Sequence, residues 1–73
     1  MKTYISQEEF EWFKRWLLEV EKIEPLPVCN EYELLRWKHK KPGEPMPICF
    51  RRYKTEKITL NTGATDYWRK YEQ

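Results

Sequence analysis

Five prolines divide this chain more firmly than any other feature of it. Pro25 and Pro27 form one stop, and Pro42, Pro45 and Pro47 another. Proline has no backbone N–H to donate, fixes its own φ, and pushes the preceding residue toward extended geometry. A helix therefore ends before Pro25, and residues 39–47, with three prolines and a glycine, read as a loop. The chain is left in readable pieces on either side of these stops.

The first piece is a helix with a marked start. Ser6 and Glu9 stand at the spacing of a capping box, and Ile5 and Phe10 at that of a hydrophobic staple around it. Glu8, Glu9 and Glu11 lie where the helix dipole favours anions. Phe10, Phe13, Leu17 and Val20 recur at helical spacing, with a second stripe of Trp12, Trp16 and Ile23. The spacing predicts a helix over 7–22. Beyond the first prolines, residues 29–38 read as a strand, 48–54 as a second and 57–60 as a third. Asn61 to Thr65 offers several cap residues, and Ala64, Tyr67, Trp68 and Tyr71 sit at the spacing of a short C-terminal helix.

The expected fold is α+β, a single domain over 1–73 in the order α-β-β-β-α. A three-stranded antiparallel meander is packed by a long N-terminal and a short C-terminal helix. Leu34 and Leu35 are adjacent, and in a regular strand they point to opposite faces. The preferred register puts Leu35, Trp37, Ile48, Phe50, Ile58 and Leu60 inward. Tyr32, Leu34, Arg36, Lys38, Cys49, Arg51 and Tyr53 then share the outer face.

Seventy-three residues suffice for one domain, and the 16% aromatic content gives so short a chain material for a core. Two cysteines, Cys29 and Cys49, are too few for a disulfide scaffold. With no secretory pattern and no long apolar run, the cytoplasm is the expected compartment, with both thiols reduced and no membrane contact. Charge is divided unevenly. Residues 1–35 carry four cations against eight carboxylates, and residues 36–73 carry ten against four. Such a split points either to a charged partner or to two halves that pair internally.

The basic-aromatic hairpin is the foremost candidate site. Arg36, Lys38, Lys40, Lys41, Arg51, Arg52, Tyr53 and Lys54 together offer cations for phosphates and a ring for a base. The plainer reading is that cations at strand ends and loops keep a small sheet soluble and discourage edge pairing. No nucleic-acid-binding motif is present. Cys29, His39 and Cys49 lack zinc-ligand spacing and a fourth ligand, so no metal and no cofactor is expected. His39 has no nucleophile or carboxylate at a telling spacing, and the chain reads as a non-enzyme. A small ribonuclease using Glu31, Glu33, Arg51 and Tyr53 is a remaining alternative. Trp12 and Trp16 on the first helix suit a protein interface, and the surplus of rings there suggests a homodimer.

The sequence resembles no particular family. Its size, its mixed charge and the lack of a catalytic signature have the general look of phage or mobile-element accessory proteins. That look implies a chain that binds, and inhibits or adapts, a host protein through its Trp-rich helix. The leading expectation is a non-catalytic binding protein contacting nucleic acid, or a protein that handles it, through the hairpin.

Overall fold

The computed structural model of the chain describes residues 3–52 and 56–73. Five strands and two helices follow one another: β1 (Tyr4–Ile5), α1 (Gln7–Trp16), β2 (Pro25–Leu26), β3 (Glu33–Trp37), β4 (Ile48–Arg51), β5 (Ile58–Leu60) and α2 (Thr62–Glu72). The strands form one antiparallel sheet in the order β1-β5-β4-β3-β2. The fold is α+β, but the sheet has five strands rather than the expected three. The two unexpected ones are edges of two residues each, too short to show any alternation in sequence. No helix among the described residues is long and apolar enough to cross a membrane.

Helix α1 starts as its sequence dictates. The Ser6 hydroxyl accepts from the Glu9 backbone N–H at 3.1 Å, and the Glu9 carboxylate accepts from the Ser6 N–H at 2.9 Å. Ile5 and Phe10 beside this cap are both buried. Ser6→Ala is expected to cost about 1 kcal/mol, which for a domain of this size lowers Tm by roughly 4–8 °C. A thermal melt that does not move would show the cap to be idle.

After Trp16 the helix loosens into a π-helical turn over Leu17–Glu21, closed by Lys22 in the left-handed region at φ 52°. Bonding from i to i+5 instead of i+4 adds a residue to the turn and breaks the 3.6-residue stripe. Val20, expected on the core face, is consequently 62% exposed, whereas Phe10, Phe13, Leu17 and Ile23 stay buried. Glu21 is half-buried and accepts from Lys70 Nζ of α2 at 3.0 Å.

The sheet register corrects the sequence reading at β4. Glu33 pairs with Phe50, yet Leu35 pairs with Cys49, so Leu34 is an extra residue on β3. Such a bulge lets two residues oppose one. Leu35 is buried and Leu34, half-buried, also packs against the buried cluster. The adjacent leucines thus serve one core instead of two faces. The shift reverses the parity of β4. Cys49 is fully buried in a row with Leu35 and Leu60, and Ile48 and Phe50 turn outward. Arg51 faces inward at the rim, paired with Ile58, where its guanidinium donates to the Gln7 side chain of α1.

Strand β3 also begins later than expected. Asn30 Oδ1 accepts from the N–H groups of Tyr32 and Glu33, at 2.9 and 3.2 Å. This side-chain turn offers the backbone an alternative to the ladder.

Both helices lie on the same side of the sheet. Phe13 of α1 meets Trp37 of β3 edge-on at 6.4 Å and Trp68 of α2 at 4.9 Å, and Tyr67 of α2 meets Trp37 at 5.4 Å. Helix α2 is capped by Asn61, whose Oδ1 accepts from Ala64 N–H at 2.9 Å and Ile48 N–H at 3.0 Å. Asn61 Nδ2 donates to the Met46 carbonyl at 2.7 Å. One side chain thus joins the end of the proline loop, the start of β4 and the start of α2. Pro47 is fully buried, and the loop backbone at Pro45 and Pro47 lies directly against Gly63.

Candidate nucleic-acid interface

With both helices on one side, the other face of the sheet is uncovered among the described residues. The pairing register sets its rows. Tyr4, Thr59, Phe50 and Glu33 lie side by side across β1, β5, β4 and β3, and Ile48, Arg36 and Leu26 form a second row across β4, β3 and β2. Tyr4 is 45% exposed, and Phe50, Ile48 and Leu26 are each half-buried. Tyr32 and Arg52 line the same shallow groove as Ile48 and Phe50. A sheet face with this many half-exposed apolar side chains differs from an ordinary solvated surface.

One ion pair is set into this face. Arg36 donates to the Glu33 carboxylate, which also accepts from the Cys29 backbone N–H. The hydrogen bond from Arg36 holds the Glu33 carboxyl below the usual carboxylate range, and Glu33 in turn raises the Arg36 guanidinium. Glu33 is also one of the four residues of the ribonuclease arrangement. Arg51 of that arrangement is turned to Gln7, Glu31 is exposed in the turn before β3, and Tyr53 lies outside the described residues.

The eight hairpin residues do not form one patch. Arg36 stands in the middle of the uncovered face. Lys38, Lys40 and Lys41 are at the loop end of β3, among carboxylates: Lys38 is 3.9 Å from Glu24, and Lys40 Nζ donates to the Glu21 carbonyl at 3.2 Å. Lys41 is exposed, beside Glu44 and Asp66 in a shallow groove. Arg51 and Arg52 are at the opposite end of β4, Arg51 toward α1 and Arg52 exposed in the outer groove. Tyr53 and Lys54 lie outside the described residues. His39 is half-buried, its ring 5.6 Å from that of Tyr67 and its Nδ1 accepting from Lys41 N–H. The loop is therefore docked on α2. Sequence reasoning missed Tyr4 and gave Phe50 to the wrong face.

The two tryptophans of α1 part company. Trp16 packs against Tyr71 at 5.3 Å and Phe13 at 6.2 Å, so the two helices share it. Trp12 is 56% exposed, with the Arg15 guanidinium 5.9 Å from its ring centre and Leu18 alongside in a shallow surface groove. Both cysteines are free thiols. Cys29 is exposed, and burial pushes the Cys49 thiol up to about 12. Among the described residues no three His, Cys, Asp or Glu side chains converge as a metal site. Comparison with family models, curated proteins and solved structures finds no match to this chain.

Proposed function

We propose that this chain is a non-catalytic binding protein that takes nucleic acid on the uncovered face of its sheet. The distribution of charge between layers carries the reading. Residues 33–60, which hold β3, β4 and β5, carry eight cations against three carboxylates, and residues 6–24, which hold α1, carry three against six. The segment that holds these strands is the cationic part of the chain and α1 the anionic part, and of that segment's described cations Arg36 and Arg52 stand on the uncovered face. A polyanion is attracted to such a segment, and Arg52 lies beside half-exposed rings on the uncovered face.

Binding of a single-stranded oligonucleotide, followed by fluorescence anisotropy, should weaken steeply with salt. Arg52→Gln, in the groove of the uncovered face, should reduce the slope of log K against log salt by about 0.7, and Lys41→Gln, on the α2 side, should leave it unchanged. An absence of binding at low salt would discard this reading.

A second reading rests on Trp12, an exposed anchor of the type that dominates protein interfaces. It makes α1 the contact surface for a protein, and that contact would barely respond to salt. Sedimentation equilibrium distinguishes a second copy of the chain from a foreign partner in that role.

A further inference from the structure

We infer that the uncovered face seats two splayed bases of one single strand, one on the ring of Tyr4 and one on the ring of Phe50. The inference rests on the nucleic-acid reading above and assigns the two stacking residues of that surface. Tyr4 and Phe50 share one row, on β1 and β4, with Thr59 of β5 between them. Two strand spacings put their backbones about 10 Å apart, and the short Thr59 side chain leaves a low point between the rings. Base–aromatic stacking tolerates any sequence, because every base has a π-face.

The spacing selects the form of the strand. Bases in a duplex follow one another at roughly 3.4 Å along each strand, with their faces covered by their neighbours. Rings carried on backbones about 10 Å apart suit bases that have left such a stack. The charges around the row agree. Glu33, the carboxylate in that row, is closed by Arg36 and the Cys29 N–H, so its charge is compensated within the protein. Arg52 is exposed in the groove that Phe50 lines, within a segment of net positive charge. The strand's phosphates therefore have a cation beside the base on Phe50.

The test compares a short oligothymidylate with a duplex of equal length, at low salt, on the full chain. Wild type should bind the single strand more tightly. Tyr4→Ala and Phe50→Leu should each weaken it by roughly five- to a hundred-fold, and Tyr4→Phe should bind like wild type. Phe50→Leu keeps an apolar side chain of similar reach without a π-face. Should it fail to melt cooperatively, Tyr4→Ala decides alone, because that side chain is exposed. Unchanged affinity in the folded variants would overturn the two-base site and leave the nucleic-acid reading standing. A preference for the duplex would do the same. Failure of wild type to bind either probe would remove both.

Discussion

Phe13→Ala is expected to remove about 3–5 kcal/mol of stability and to leave the chain marginally folded or unfolded. Phe13 is completely buried, and its ring lies against Trp16, Trp37, Trp68 and Tyr71, on α1, β3 and α2. Trp37 touches the same three elements through Phe13 and Tyr67, and Phe13 is the ring that ties it to Trp16 and Trp68. A domain of this length holds about 4–11 kcal/mol in total at the usual value per residue, so one substitution consumes a large share. Urea denaturation followed by tryptophan fluorescence gives the measurement, with Phe13→Leu expected to lose much less. A Phe13→Ala midpoint close to wild type would mean that the three elements are not joined through this ring.

Gly63→Ala should have the second-largest effect, and its sign is the informative part. In the interior of an exposed helix the change from Gly to Ala gains about 1 kcal/mol. Here a Cβ would overlap the Pro45 carbonyl oxygen and stand 3.0 Å from the Pro47 nitrogen. Both are backbone atoms of a loop that Asn61 holds by the Met46 carbonyl and the Ile48 N–H, so they have little room to retreat. Overpacking of this kind costs about 1–3 kcal/mol, and Tm should fall. A rise in Tm would show that the proline loop is not seated on α2.

The helices were legible in the sequence because their signals are local. Ser6 and Glu9 announce α1 within four residues, and Asn61 with Ala64, Tyr67, Trp68 and Tyr71 announces α2 within eleven. The sheet was legible only in part. Parity along β4 depends on a bulge at Leu34, on a different strand, and one extra residue exchanges the faces of Ile48, Cys49 and Phe50. Val20 failed for the helical version of the same reason, since the π turn after Leu17 resets the stripe.

The candidate site was harder still. Its cations could be named from the sequence, but their partners could not. Lys40 is bonded to the carbonyl of Glu21, nineteen residues away, and Lys38 lies 3.9 Å from the carboxylate of Glu24. Tyr4 gave no signal because its strand is two residues long.

The edges of the sheet bear on how many molecules can gather. Strand β2 begins with Pro25, which has no N–H to give, and Pro27 follows directly, while β1 at the other edge is two residues long. Neither edge is a template for another strand. Addition at an edge repeats without limit, whereas a face that pairs with the same face of a second copy is used up once covered. Growth by strand addition is accordingly blocked at both ends of the described sheet. Fibres built by adding strands to this sheet are what its edges oppose.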